Sequence, residues 1–289
     1  MFEAHFGLLA PPFRLGPDPS FYFESSGHGK ALAYLKYGVY QREGFIVVTG
    51  EIGSGKTTLV RKLLESLDPR EVTAAQVVST QLDSYELLRA VCTAFGVPVP
   101  GSSKALTLAT LEAFFAALVA GGRRALLIVD EAQNLGLKEA EELRMLSNFQ
   151  LGGQGLVQSF LVGQPELRLT LRSSSMEQLR QRVIASCHLG ALTEPETRGY
   201  VEHRLRHVGW QGIPFIENEA FAKLHAHSGG IPRRINLLCT RALLACSLRD
   251  GREITAANVV QAAEELSEEI GLGHGTEVDR LMVRFGKGS

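Results

Sequence analysis

The sequence is short of cysteine, long apolar runs and net charge. Its four cysteines, Cys92, Cys187, Cys239 and Cys246, stand singly in apolar surroundings. None forms C-x-x-C or lies at zinc spacing from a histidine, which excludes a disulfide framework and a thiolate metal site. Reduced thiols in a cytosol are expected. The longest apolar stretches, such as Ala125–Val129, are far below the ~20 residues that a membrane helix needs. The N-terminus has no basic stretch followed by an apolar core, so no signal peptide is expected. A formal net charge of −1 excludes an overall field that draws the protein to nucleic acid or anionic lipid, and leaves a local basic groove open. Neither an internal repeat nor a low-complexity block is present. Hydrophobic residues at 45% and charged residues at 21% of 289 are ordinary for a globular chain, enough for one large domain or two modest ones.

The most informative stretch is Gly44–Thr58. Phe45–Val48 is a short, largely β-branched apolar run and predicts a buried strand. Gly50, Glu51, Ile52, Gly53, Ser54, Gly55, Lys56 and Thr57 follow, with Thr58 after them, and fit G-x-x-x-x-G-K-[ST] at every required position. Leu59–Leu64 then has helical spacing of its apolar residues. Strand, glycine loop and helix thus come in the order that a polyphosphate cradle needs. Gly50, Gly53 and Gly55 let the backbone curl and turn its N–H groups inward. The helix start adds the positive end of its dipole. Lys56 is placed to reach β- and γ-phosphates, and the Thr57 hydroxyl to ligate Mg²⁺.

Arg124–Glu131 is the second informative stretch. Five consecutive apolar residues predict a strand buried on both faces of a parallel sheet. Asp130 and Glu131 close it at the carboxyl end, where ligands bind in open α/β sheets. Asp130 is the candidate to hold Mg²⁺ through water, and Glu131 the candidate general base toward an attacking water. Val157–Gly163 is the next strand, and Gln164 at its end is placed to sense a γ-phosphate or to orient the water. Met176–Val183 reads as a helix feeding a short strand at 188–192. It carries Arg180 and Arg182, one of which suits an arginine finger acting on a neighbouring subunit; Arg182 is preferred.

The remaining elements frame these. Residues 1–23 interleave five phenylalanines with four prolines and predict an irregular segment pinned by aromatic anchors, either walling an adenine pocket or simply packed. Helices are expected over 29–40, 84–95, 107–120 and 138–150, and a further strand over 74–78. At Thr193 the character changes. Thr193-Glu-Pro-Glu196 is a capping box with an early proline, and from there to about 270 only helices are expected: 195–208, 217–228, 232–249 and 255–270. Arg233 or Arg234, at the start of the third of these, faces the wrong end of a helix dipole and needs an anion; a nucleotide phosphate would supply it, and Arg233 is preferred. The expected organisation is an α/β domain over 1–192, a helical domain over 193–270 and a glycine-rich flexible tail over 271–289, either loose or docked on a partner.

Thr49–Thr58, Ile128-Val-Asp-Glu-Ala-Gln-Asn134, Leu161-Val-Gly-Gln-Pro-Glu-Leu167, Leu179-Arg-Gln-Arg-Val183 and Gly229-Gly-Ile-Pro-Arg-Arg-Ile-Asn236 together resemble the AAA+ ATPases of the general secretion pathway protein A type. The likeness covers roughly residues 2–265. It implies a P-loop core with a parallel five-stranded sheet, an all-helical lid, ATP and Mg²⁺ as cofactors, and ATP hydrolysis at a site completed between subunits. Lys56 and Thr57 take the Walker A roles, Asp130 and Glu131 the Walker B roles, Gln164 sensor 1, Arg182 the finger and Arg233 sensor 2. Longer members continue into a membrane span and a peptidoglycan-binding domain, and this sequence ends before either. The implied role is an oligomeric conformational motor, ring or filament, in secretion, pilus or exopolysaccharide assembly. It would be cytoplasmic or peripheral to the inner membrane through its protein partners. A related group, the transposition target-selector ATPases, implies a DNA-dependent regulator instead. A nucleotide-gated scaffold with little turnover is the third reading.

Overall fold

A computed structural model describes residues 2–79, 82–99, 101 and 103–269. The described residues form two compact units, one within 17–191 and one of 2–16 with 192–269. The tail expected over 271–289 lies outside the described residues.

The first unit is built on one parallel sheet. Its strands are β1 (Phe45–Gly50), β2 (Val72–Val78), β3 (Arg124–Asp130), β4 (Val157–Gly163) and β5 (Val183–Leu189), in the spatial order β2-β3-β4-β1-β5. Val47 lies opposite Leu161 on one side and Ser186 on the other. Alternation decides which face each residue serves. Phe45, Val47, Leu127, Val129, Val157 and Leu161 join one core with helices α3 (Ser84–Phe95), α4 (Lys104–Ala120) and α5 (Leu137–Leu146). Ile46, Val48, Leu126, Ile128, Phe160 and Val162 join the other, with α1 (Ser26–Gln41) and α2 (Lys56–Glu65). Both β1 and β4 are buried along their whole length. The buried Gln158 of β4 is satisfied by donating to the carbonyls of Gly38 and Glu43. A short helix, α6 (Glu166–Arg172), follows β4.

One strand differs from expectation. The helix predicted up to Val183 stops at Arg180, and the strand predicted over 188–192 occupies Val183–Leu189. The reason is its position at the sheet edge. β5 pairs only with β1, so it alternates half-buried and exposed residues and lacks the continuous apolar run that marks the inner strands.

The second unit holds α7 (Glu194–His207), α8 (Asn218–Ser228), α9 (Pro232–Leu248) and α10 (Ala256–Glu269). Thr193 and Glu196 form the expected capping box. It is not wholly helical: Phe215–Ile216 pairs in parallel with Glu253–Ile254. Residues 2–16, expected in the α/β domain, cluster here instead. Phe6 and Phe13 are buried. The buried guanidinium of Arg204 donates to the Pro12 carbonyl (2.6 Å), to the Arg14 carbonyl and to the Tyr200 hydroxyl. Asn236 also donates to the Arg14 carbonyl. A charged donor shared among backbone carbonyls is a tertiary tie that composition does not reveal. Phe21, by contrast, is buried within the first unit, so the aromatic segment is divided between the two.

Arg204→Met takes the charged donor from the buried Pro12 carbonyl and from the Arg14 carbonyl. It is expected to cost about 2–3 kcal/mol in urea denaturation and to expose residues 2–16 to protease; an unchanged midpoint would refute the tie.

Candidate functional site

Three strand ends of the first unit meet at one edge of the sheet. β1 ends in the glycine loop, β3 in Asp130, and β4 in Gly163 before Gln164. The loop is shaped by its glycines: Gly53 and Gly55 hold φ of +81° and +98°. A side chain on Gly50 would meet Ser54 Oγ at 2.6 Å and the Leu189 carbonyl at 2.8 Å. Gly55 is the N-cap of α2 and supplies no side-chain cap to the first N–H groups of that helix. A bent glycine backbone leading into an uncapped helix start fits a phosphate group.

A residue not singled out in the sequence supports this loop. His28, buried near the start of α1, donates from Nε2 to the Ser54 carbonyl (3.0 Å), since that oxygen can only accept. Its Nδ1 therefore accepts from the Ser25 hydroxyl at 2.8 Å. In sequence it was a histidine just before the helix expected over 29–40, which by itself says nothing.

Lys56, 9% exposed, donates its ammonium to the carbonyls of Gly50 (2.8 Å) and Glu51 (3.1 Å). Burial lowers its pKa, opposed by the charges of Glu131, Asp130, Glu51 and Glu166. The lysine and the acidic strand end therefore share one electrostatic neighbourhood. Burial also raises the Asp130 carboxyl. Glu131 adds to that rise, while the Glu131 N–H, Lys56 and Gln76 oppose it. Asp130 accepts from the Glu131 N–H (3.0 Å) and from Gln76 of β2 (3.1 Å). Glu131 has left-handed backbone angles, φ +53° and ψ +36°, uncommon for a non-glycine residue. Its Oε2 accepts from Gln133 Nε2 at 2.6 Å, with Gln164 Nε2 at 3.5 Å.

The structure thus brings together Lys56, Asp130, Glu131 and Gln164, and Thr57 stands half-buried as the second residue of α2. Among the described residues no group of three or more His, Cys, Asp or Glu is placed to hold a metal by itself. Mg²⁺ suits such a place, because it takes one or two protein oxygens and leaves the rest of its shell to water and substrate phosphates. The Thr57 hydroxyl and the Asp130 carboxylate are hard oxygen donors of that kind. Glu51 and Ile52 are exposed, Ser54 is buried and Thr58 half-buried.

Arg182 is not among them. It immediately precedes β5, and its carbonyl accepts from Phe45 N at the start of β1, which places it at the opposite edge of the sheet. Its guanidinium donates to the Ser147 carbonyl and hydroxyl. Arg180 is exposed, 3.8 Å from Glu177. Arg233 stands exposed in the first turn of α9, in the second unit.

A parallel sheet in this order, with a glycine loop after β1 and an acidic pair after β3, defines the AAA+ form of the P-loop nucleotide-binding fold. Residues 39–171 match the family model described as an AAA domain. The chain is 39% identical over 268 residues to general secretion pathway protein A of Aeromonas hydrophila, covering 92% of this chain and 49% of that protein. It spans about half the length of this curated relative. Among solved structures, the Aeropyrum pernix ORC1 protein in complex with DNA has a TM-score of 0.67 at 18% identity, covering 89% of this chain and 69% of that one. Cdc6p of Pyrobaculum aerophilum has a TM-score of 0.66 at 16%, covering 94% and 74%. These two share the fold. The chain is an AAA+ P-loop protein related to general secretion pathway protein A.

Gly55→Ala puts a methyl group 2.9 Å from His28 Nε2 at a φ of +98°. It is expected to lower stability by about 1–3 kcal/mol, read as a lower melting temperature; an unchanged melt would mean that the loop tolerates a different shape.

Proposed function

We propose that the chain binds ATP with Mg²⁺ and hydrolyses it, working as an oligomeric conformational motor or switch in a secretion or surface-assembly system. The observation that carries this reading is the convergence of Lys56, Asp130, Glu131 and Gln164 on the one sheet edge that also holds the glycine loop. The relationship to general secretion pathway protein A supports the pathway.

In this reading the backbone N–H groups of residues 53–57 and the Lys56 ammonium hold the phosphates, and the burial of Lys56 strengthens its grip. Thr57 and Asp130 hold Mg²⁺, which neutralises charge on the phosphate oxygens. Glu131 orients a water. As that water's oxygen adds to the γ-phosphorus, its proton passes to Glu131 and the bond to the β,γ-bridging oxygen breaks, giving ADP and phosphate. Gln164 senses the γ-phosphate. Arg233 serves as the phosphate sensor of the helical lid. Arg182, at the far edge of its own sheet, serves the site of a neighbouring subunit, which requires an oligomer. No helix among the described residues is long and apolar enough to cross a membrane. A cytoplasmic place, attached at the inner membrane through partner proteins, suits this reading.

Lys56→Ala is expected to abolish binding of a fluorescent ATP analogue. Glu131→Gln is expected to keep binding while steady-state phosphate release falls by about 10²–10⁴-fold. Arg182→Ala should bind ATP as single subunits do, yet fail to complete turnover in assemblies of any composition that lack an intact Arg182. Normal turnover in Glu131→Gln would remove the base, and occupancy without phosphate release in the unaltered protein would make it a scaffold. Stimulation by duplex DNA that fades steeply with salt would point to a DNA-dependent regulator.

A further inference from the structure

We infer that Gln133 is a positioning residue that holds the Glu131 carboxylate and ties it to the Gln164 backbone, so that base and sensor move as one piece. The inference rests on the reading of Glu131 as general base. Gln133 lies in the turn after β3, in the Asp-Glu-Ala-Gln-Asn run, and has no part in phosphate or metal binding as described above.

Its amide is fixed at both ends. Oε1 accepts from the Gln164 backbone N–H at 3.0 Å. That N–H can only donate, so the oxygen faces β4 and the Nε2 group must face Glu131. Nε2 donates to Glu131 Oε2 at 2.6 Å, a short charge-assisted contact. Room for the amide comes from Gly163, where a Cβ would stand 2.8 Å from Gln133 Oε1 and 3.1 Å from Gln133 N. The turn is also anchored to β2, since Asn134 Nδ2 donates to the Ser79 carbonyl at 3.0 Å. Gln133 therefore spans the ends of β3 and β4 by one rigid amide. With Oε2 bound, Oε1 of Glu131 is left to take the proton of a water. Any shift of the Gln164 backbone on sensing a γ-phosphate is passed to Glu131 through two hydrogen bonds.

The test compares the unaltered full chain with Gln133→Ala and Gln133→Glu, measuring ATP-analogue affinity and kcat. Gln133→Ala is expected to keep affinity within about twofold while kcat falls about tenfold or more. Gln133→Glu, which keeps the length and an acceptor for the Gln164 N–H but has no donor for Glu131, is expected to lose kcat at least as far with affinity again within about twofold. The same kcat in all three proteins, or a parallel loss of affinity in Gln133→Ala, overturns the inference while leaving the ATPase reading intact. Absence of phosphate release from the unaltered protein overturns both.

Discussion

A parallel sheet delivers every strand's carboxyl end to the same edge, and the site depends on that constraint. β1 lies between β4 and β5, and β4 lies between β1 and β3. With each inner strand buried on both faces, their lengths and registers are held by packing on two cores at once. Val47 opposite Leu161, and Leu127 opposite Ser159, bring the glycine loop, Asp130 and Gln164 to a common level. A slip of one residue in any of these strands would send its apolar set to the wrong core.

At that edge the electrostatics are internally opposed. Burial works against the charge on both Lys56 and Asp130, and each is partly stabilised by the other. The lysine donates to the carbonyls of its own loop, and Asp130 accepts from Gln76 and the Glu131 N–H. Such groups are held in place without being fully neutralised, which suits a site that receives a polyanion together with a divalent cation. The left-handed backbone of Glu131 belongs to the same pattern. It is a strained residue kept by its surroundings, at the position that the proposed reaction uses most.

Much of this was legible in the sequence, for identifiable reasons. The glycine loop could be read because phosphate chemistry restricts residue type at fixed spacing. β3 and β4 could be read because inner strands of a parallel sheet are unbroken apolar runs; the predicted bounds of β4, 157–163, are those observed. The helix expected over 84–95 has those bounds in the structure, where Asp83 and Glu86 form a capping box and Gly96 closes it. What could not be read depends on tertiary neighbours. β5 is an edge strand whose sequence is interrupted by Ser186 and His188, so no unbroken apolar run marks its bounds. The attachment of residues 2–16 to the helical unit rests on Arg204 donating to carbonyls nearly 200 residues away. Gln76, Gln133 and His28 are ordinary polar residues in one dimension, and only the folded chain sets them against Asp130, Glu131 and Ser54.

The central claim is that a bare backbone cradle and an acidic strand end at the same sheet edge hold a magnesium polyphosphate. Its most direct test is a crystal structure of the chain with Mg²⁺ and a non-hydrolysable ATP analogue. The account predicts the β- and γ-phosphates against the N–H groups of residues 53–57 and the Lys56 ammonium, with the metal beside Thr57 and Asp130. An analogue bound elsewhere, or a metal remote from Asp130, would contradict it.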